Sequence, residues 1–280
     1  MEKFICPICR QPLSLYDKAY KCCNRHSYDI SKYGYVNLLM SQKSSKKRHG
    51  DDKLMIRSRQ EFLNKGYYEP LLKCITEIVS EKADGRNISV LDAGCGDCYY
   101  SSFVKENIPT CEMYGVDISK DALVFAHKRN NDIRLAAAGC SKLPFDDETF
   151  DVILNIFSPT CESEYSRVLK DGGILIRVVP LEDHLLNLKA AVYDEPYKNP
   201  EEKHTIDGFT LVSLSEIKYT IHLDSNKDIK ALFMMTPYYY KTSRADQAKL
   251  DNINSLDIQA EFCAEVYDNQ KKPEGCLSAV

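Results

Sequence analysis

The sequence lacks a long hydrophobic run. No stretch of the 280 residues approaches the roughly 20 consecutive apolar residues that a membrane-spanning helix requires. The first residues also lack a positively charged stretch followed by an apolar segment, which is the pattern of a secretory signal. We therefore predict a soluble, cytoplasmic protein that does not contact a membrane.

Disulfide bonds are not expected, although the chain has 12 cysteines. Disulfides are rare in a reducing cytosol, and no signal directs this chain to an oxidising compartment. Some of the cysteines should therefore bind metal, and the others should fill the hydrophobic core. Cys6 and Cys9 are separated by two residues, and Cys22 and His26 by three. Paired ligands at these spacings are typical of zinc sites.

The third zinc ligand has two candidates in the sequence. Cys23 could pair with His26, but the three intervening residues of Cys22 and His26 match the usual ligand spacing better. With four protein ligands no coordination position remains for water, so the metal is structural. We predict one structural zinc ion per chain, bound by Cys6, Cys9, Cys22 and His26.

Negative charge is scarce in the N-terminal part of the chain. Residues 1–59 hold 13 Lys and Arg against 5 Asp and Glu, whereas the remaining residues hold 24 against 36. A basic segment on an acidic body favours contact with a polyanion such as RNA. A solvated basic linker without a binding role is the alternative. The candidate RNA-binding residues are Lys46, Lys47, Arg48, Arg57 and Arg59.

The pattern of apolar residues changes after residue 88, where short β-branched runs begin to alternate with helical patterns. This alternation predicts an α/β fold with a mainly parallel sheet and helices on both faces. Five strands are expected at residues 89–93, 113–117, 133–137, 150–156 and 174–180. Two apolar-alternating runs, 216–223 and 259–267, would complete a seven-stranded sheet. The predicted division is a zinc-ribbon-like module at 1–38, a basic linker with the start of the first helix at 39–59, and the α/β domain at 60–280.

A glycine-rich turn follows the first strand of that domain. Glycines allow the backbone to approach a ligand, and the next helix offers free N–H groups at its N-terminus. An acidic residue precedes the glycines, and another ends the next strand, where a carboxylate can bind two ribose hydroxyls. A dinucleotide motif would have a third glycine at the position of Tyr99, so a nicotinamide cofactor is not expected. The candidates are Asp92, Gly94, Gly96 and Asp117, and carboxylates without a binding role are the alternative.

Residues 89–180 resemble the class I S-adenosylmethionine-dependent methyltransferases. The likeness rests on Asp-x-Gly-Cys-Gly at 92–96, the acidic residue of the next strand, Leu-Pro-Phe at 143–145 with Phe-Asp-Val-Ile at 150–153, and Leu-Lys-Asp-Gly-Gly at 169–173. It implies a Rossmann-like fold in which Asp92 and Asp97 lie near the methionine end of the donor, Gly94 and Gly96 form the floor, and Asp117 binds the ribose. Cys140 stands where many relatives have Asp, which implies that backbone groups and apolar walls hold the adenine.

Together with the zinc pattern, the chain is similar to the bacterial large-subunit ribosomal RNA guanine-N1 methyltransferases. Segments 25–29, 33–39, 55–59 and 62–68 carry this likeness, which spans nearly the whole chain. It implies methylation of a hairpin-loop guanine, with macrolide resistance in some members, and it implies that Tyr68 and His184 line the donor pocket. The oligomeric state, monomer or homodimer, stays open.

The catalytic base is not identified by the sequence. Guanine N1 is protonated at neutral pH, so a base must remove its proton or the enzyme must stabilise the resulting anion. Asn155, Ser158 and His184 are the candidates near the expected pocket, and none is assigned. A small-molecule methyltransferase with an accessory zinc module is the alternative function, but it leaves the basic module unexplained.

Overall fold

The structure of the protein is a computed structural model that describes residues 3–40 and 52–269. Three of the predicted RNA-binding residues, Lys46, Lys47 and Arg48, lie outside the described residues. Within these two ranges every helix is too short or too polar to span a bilayer.

The described residues form eleven strands and eight α-helices. The strands are β1 (Ser14–Tyr16), β2 (Ala19–Lys21), β3 (Ser27–Asp29), β4 (Tyr35–Asn37), β5 (Ser89–Ala93), β6 (Glu112–Asp117), β7 (Arg134–Ala137), β8 (Phe150–Ile156), β9 (Leu169–Pro180), β10 (Thr210–Leu223) and β11 (Leu256–Asp268). The helices are α1 (Lys53–Leu63), α2 (Glu69–Ala83), α3 (Tyr99–Asn107), α4 (Lys120–Arg129), α5 (Glu162–Val168), α6 (Leu186–Val192), α7 (Asn226–Met234) and α8 (Arg244–Ala248).

The central sheet of the described chain has eight strands in the order β10-β11-β9-β8-β5-β6-β7-β4. Strands β4 to β9 pair in parallel, and β11 pairs antiparallel with both β9 and β10. The α/β domain contributes the seven strands that the sequence predicts, and β4 of the N-terminal module adds an eighth. Strand β4 is not predicted from the sequence, because a run of three residues is too short to distinguish from the rest of the module.

Side chains of the central strands alternate between two hydrophobic clusters, as the two-residue period of a strand requires. Val90 of β5 belongs to the cluster on one face, which α2, α3 and α4 cover. Leu91 belongs to the cluster on the opposite face, which contains Tyr165 and Val168 of α5. The same cluster includes residues of the N-terminal module, namely Phe4, Leu13, Tyr20 and Val36. The module thus covers part of this face of the sheet, whereas helices cover the other face.

The contact between the module and the domain is close-packed. Phe4 is buried, and its ring centroid lies 5.3 Å from that of Phe145 and 5.5 Å from that of Tyr114. The backbone N–H of Ile5 donates to the carbonyl oxygen of Pro144 at 2.9 Å. At Gly34 the fit is tighter still, since a Cβ there would overlap the His127 ring of α4. The zinc module and the α/β domain therefore share one core.

Local signals explain where the helices of the site begin. The carboxylate of Asp52 caps α1 by accepting hydrogen bonds from the N–H groups of Leu54 and Met55. Pro70 lies in the first turn of α2, where its missing N–H costs no hydrogen bond. The hydroxyl of Ser119 caps α4. Strand β9 begins five residues before its predicted start. The charged, glycine-containing stretch 170–173 is typical of a turn in the sequence, but in the structure it is part of the strand.

Candidate functional site

The four predicted zinc ligands converge in the N-terminal module. His26 Nδ1 lies 3.4 Å from Cys6 Sγ and 3.3 Å from Cys22 Sγ, and Cys9 Sγ lies 3.6 Å from Cys22 Sγ. All four ligand atoms lie within 4.8 Å of one another. Ligands on a tetrahedral zinc ion at normal bond lengths are separated by about 3.5 to 3.8 Å. The donor set and its dimensions therefore fit zinc.

Local backbone geometry and one tyrosine support this cluster. Cys6 O accepts a hydrogen bond from the Arg10 N–H, which closes the turn that carries two of the sulfurs. The hydroxyl of Tyr28 lies 3.1 Å from Cys6 Sγ, a position from which it can donate to a thiolate. Cys23 is exposed and lies outside the cluster, 3.9 Å from the side-chain oxygens of Gln11 and Asn24. The geometry thus agrees with the choice of Cys22 over Cys23.

A second candidate site lies at the carboxyl ends of β5 and β6, around the glycine-rich turn. Gly94 and Gly96 both have positive φ, +89° and +54°. A Cβ on Gly94 would lie only 2.7 Å from Ser158 Cβ, so glycine is required there by packing as well as by backbone conformation. The turn is fixed to the neighbouring strand, because the N–H groups of Gly94 and Cys95 both donate to Val116 O.

Asp117 ends β6 beside this turn. Its Oδ2 accepts from the Gly96 N–H at 2.9 Å, and its Oδ1 accepts from the Ser119 N–H at 2.7 Å. These two bonds orient the carboxylate beside the glycine-rich turn. Asp117 is also only partly buried. The position is compatible with binding the two hydroxyls of a ribose.

Asp97 is buried at the start of the helix that follows the turn. Its Oδ2 accepts from Arg129 Nη2 at 2.6 Å and from Gln60 Nε2 at 3.0 Å. The Nε of Arg129 also donates to the Asp97 carbonyl oxygen. Asp97 therefore joins α1 and α4 at the edge of the site, a structural role that the sequence did not indicate.

Asp92 lies on β5 just before the glycines and is almost completely buried. Burial raises the pKa of the Asp92 carboxyl to about 7, and the charges of Asp117 and Asp97 act in the same direction. A group with such a pKa is poised to change its charge when a cationic ligand binds nearby.

The two arginines of α1 that were predicted to bind RNA lie in different surroundings. Arg57 is exposed, whereas Arg59 is partly buried. Arg59 Nη1 lies 3.8 Å from the position that a Cβ on Gly96 would occupy. Burial raises the pKa of Tyr68 and of Tyr100, and the positive charge of Arg59 opposes both shifts. The guanidinium of Arg59 therefore lies over the glycine-rich turn, beside the predicted donor pocket.

Tyr68 and His184 lie together in an aromatic cluster on this side of the sheet. Phe262 joins them, with its ring centroid 4.9 Å from that of Tyr68 and 4.6 Å from that of His184. His184 Nδ1 accepts a hydrogen bond from the Glu261 N–H, which leaves the proton of the neutral ring on Nε2. Burial and, to a smaller extent, the nearby charge of Lys189 lower the pKa of His184 to about 3. His184 is thus a neutral hydrogen-bond donor near pH 7 and a poor base.

The other two base candidates are held in an internal network. The amide of Asn155 donates to the carbonyl oxygens of Ser158 and Pro159, and its Oδ1 accepts from Thr160. The hydroxyl of Ser158 donates to Ala93 O at 2.7 Å. Asn155 is 1% exposed, so it anchors the loop after β8 and is not available to a substrate. Burial raises the pKa of Cys140 to about 12, which keeps this thiol neutral.

The charges around the turn fit S-adenosylmethionine. The donor carries a sulfonium and an ammonium group, which match the acidic side chains of Asp92, Asp97 and Asp117, and it carries one carboxylate, which matches Arg59. Its ribose hydroxyls match the carboxylate of Asp117 at the end of β6. The residues present therefore fit this cofactor, which supplies an activated methyl group when it is bound.

Two family models match separate parts of the chain. Residues 4–47 match the N-terminal zinc ribbon of RlmA, and residues 90–173 match a methyltransferase domain. YxjB of Bacillus subtilis (strain 168), whose name assigns it to the 23S rRNA (guanine-N(1)-)-methyltransferases, is 33% identical over 91% of this chain and 93% of its own length. The 23S rRNA (guanine(748)-N(1))-methyltransferase of Streptomyces fradiae is 32% identical over 78% of this chain and 79% of its own length.

The chain belongs to the 23S rRNA guanine-N1 methyltransferase family. It is therefore a methyltransferase with S-adenosylmethionine as methyl donor and a structural zinc ion in its N-terminal ribbon. Similarity to methyltransferases with other substrates is much shorter. The fatty-acid O-methyltransferase of Mycolicibacterium smegmatis, for example, is 29% identical over only 34% of this chain.

Replacing Cys22 and Cys23 one at a time tests the zinc site of this guanine-N1 methyltransferase. Cys22→Ser should lose most of the bound zinc, because a serine hydroxyl stays protonated and is a poor ligand compared with a thiolate. Cys23→Ser is the matched control and should keep about one zinc ion per chain. Metal analysis of protein purified without added zinc measures both. Full zinc in Cys22→Ser, or equal loss in both variants, would contradict the assignment.

The raised pKa of Asp92 predicts a pH-dependent stability. The unfolded carboxyl titrates near pH 4, whereas the folded carboxyl titrates at about 7, so the folded state binds the proton more tightly and loses stability as pH rises through this window. Asp92→Asn mimics the protonated form. It should raise the free energy of unfolding by on the order of 1 to 3 kcal/mol near pH 8 and by much less near pH 5.

Urea unfolding of both proteins without donor, at about pH 5 and about pH 8, measures this difference. An equal effect of Asp92→Asn at the two pH values would show that the carboxyl titrates normally in the folded protein.

Proposed function

We propose that the chain transfers the methyl group of S-adenosylmethionine to N1 of a guanine in a hairpin loop of large-subunit ribosomal RNA. The observation that carries this proposal is the similarity to named 23S rRNA guanine-N1 methyltransferases across both the zinc ribbon and the methyltransferase domain. The basic charge of residues 1–59 supports an RNA substrate. A small-molecule acceptor is not favoured, because such relatives match only about a third of the chain.

The donor is proposed to bind along the glycine-rich turn. Asp117 would hold the ribose hydroxyls, Gly94 and Gly96 would form the floor, and Asp92 and Asp97 would lie toward the methionine end. Tyr68 and His184 would close the pocket from the aromatic cluster, where His184 can donate one hydrogen bond from Nε2. These assignments are supported by the contacts around the turn and by the acidic character of the site.

The position of Arg59 favours a role at the donor. Its guanidinium lies over Gly96, so we propose that it binds the carboxylate of the methionine moiety through charge-assisted hydrogen bonds. Arg57 is exposed and remains a candidate for contact with RNA phosphates, as do Lys46, Lys47 and Arg48. The zinc module, with residues 1–38, would position the RNA, and residues 39–59 would link it to the domain at 60–280.

The acceptor chemistry requires that guanine N1 lose its proton when the N–CH3 bond forms and the S–CH3 bond breaks. None of the described candidates is suited to take that proton. Asn155 is buried in its own network, Ser158 donates to Ala93 O, and the pKa of His184 is about 3. We therefore propose that the N1 proton passes to solvent water and that the site lowers the barrier by orienting the base and stabilising its anion, and we assign no catalytic base.

The proposed substrate places the protein in the cytoplasm, where ribosomal RNA is found. Resistance to macrolides stays a prediction, and the oligomeric state, monomer or homodimer, stays open.

A methylation assay tests the proposed function. Purified protein, unmodified 23S rRNA and S-adenosylmethionine with an isotope-labelled methyl group should give labelled 1-methylguanosine in nucleoside mass spectrometry. Asp117→Asn keeps the size of the side chain but removes its charge, and it should reduce the rate at subsaturating donor by roughly tenfold or more. Label in another nucleoside, or none in RNA, would contradict the proposal.

Arg59 and Arg57 form a matched pair for testing the donor role. Arg59→Ala should raise the donor Kd by roughly tenfold or more, because a charge-assisted hydrogen bond contributes about 1.5 to 3 kcal/mol. Arg57→Ala should leave the donor Kd unchanged, since its side chain is exposed. Calorimetric titration of donor into each protein without RNA measures both constants. If Arg59→Ala binds donor normally but binds RNA weakly, Arg59 contacts phosphate instead.

A further inference from the structure

Phe157 is an exposed aromatic residue directly after β8. Its side chain is 45% exposed, whereas the neighbouring aromatic residues Tyr68 and Phe262 are 3% and 0% exposed. Single exposed apolar side chains are common on protein surfaces, so exposure alone does not indicate a function. The backbone conformation and the position of Phe157 provide the further evidence.

The backbone of Phe157 is strained. Its φ of +53° lies in the left-handed region, which is unfavourable for a bulky residue. The loop is nevertheless fixed on both sides, because the Phe157 N–H donates to Val178 O at 3.1 Å and the Ser158 hydroxyl donates to Ala93 O at 2.7 Å. The amide of Asn155 also binds the Ser158 carbonyl. Strain that the surrounding structure maintains in this way is concentrated at functional sites.

Phe157 lies where the donor turn meets the aromatic cluster. Ser158, the next residue, packs against Gly94 so closely that no Cβ could be accommodated there. The ring centroid of Phe157 lies 5.5 Å from that of Phe262, and Phe262 in turn contacts Tyr68 and His184. Phe157 is therefore the exposed edge of a cluster that otherwise closes the donor pocket.

We propose that Phe157 is the surface on which the target guanine stacks. This inference rests on the proposed function. A base in a hairpin loop is unpaired and can be turned out at low cost, and its flat face stacks on aromatic side chains. A rigidly held ring beside the glycine-rich turn would keep the planar acceptor close to the donor. The clamped backbone fixes the ring before the RNA arrives, so little conformational entropy is lost on binding.

Three variants at this position separate stacking from packing. Phe157→Leu keeps an apolar side chain but removes the ring, and it should lower kcat/KM for rRNA by roughly 5- to 100-fold, the range measured for base–aromatic stacking. Phe157→Tyr keeps the ring and should stay within about twofold of the wild type. Phe157→Gly relieves the positive φ and also removes the ring, so its activity should fall at least as far as that of Phe157→Leu.

Donor Kd and thermal stability are measured for each variant beside the rRNA methylation rate. Donor Kd should be unchanged in Phe157→Leu and Phe157→Tyr. Normal kcat/KM in Phe157→Leu, with rRNA methylation by the wild type, would overturn the stacking role alone. A loss of donor affinity and stability in Phe157→Leu that matches its loss of kcat/KM, with Phe157→Tyr unchanged, would show that the ring only supports the pocket. If the wild type methylates no guanine in rRNA, the proposed function fails as well.

Discussion

The parallel register of β5 with β6 and β8 is the constraint on which the site depends. Asp92 of β5 lies opposite Gly115 of β6 on one side and Leu154 of β8 on the other. The three strands therefore end at nearly the same level, and the residues that follow them converge on one edge of the sheet. The backbone pairing of these strands brings the carboxylates of Asp92 and Asp117 and the loop after β8 to the same edge of the sheet.

One packing contact then couples the glycine-rich turn to the loop after β8. Ser158 lies against Gly94, so the loop after β8 cannot shift without disturbing the turn that is proposed to hold the donor. Asn155, which is 1% exposed, holds that loop through its side-chain amide. Asn155 and Ser158, two of the candidates for proton transfer, thus fix the position of the loop after β8. Their value to the enzyme lies in the rigidity that they give to their neighbours.

The sequence predicts the strand–turn–helix order, the zinc ligands and the acidic residues because each depends on local spacing. Asp92 and Asp117 stand at strand ends, where their role follows from the fold class. Other features depend on contacts between distant residues. Charge alone does not reveal which way Arg59 points from its helix, and the left-handed backbone of Phe157 is imposed by tertiary hydrogen bonds. The pairing of residues 35–37 with the central sheet likewise needs partners about 100 residues away.

That last pairing has a consequence for the order in which the chain folds during translation. All four zinc ligands lie between Cys6 and His26, so the metal cluster can close soon after this segment leaves the ribosome. Strand β4 follows a few residues later but has to wait for β7, whose last paired residue is Ala137. Vectorial synthesis thus leaves the edge of β4 that pairs with β7 without its partner until residues 134–137 have emerged. Zinc can hold the four ligand residues together during that interval, before Phe4 has Tyr114 and Phe145 to pack against.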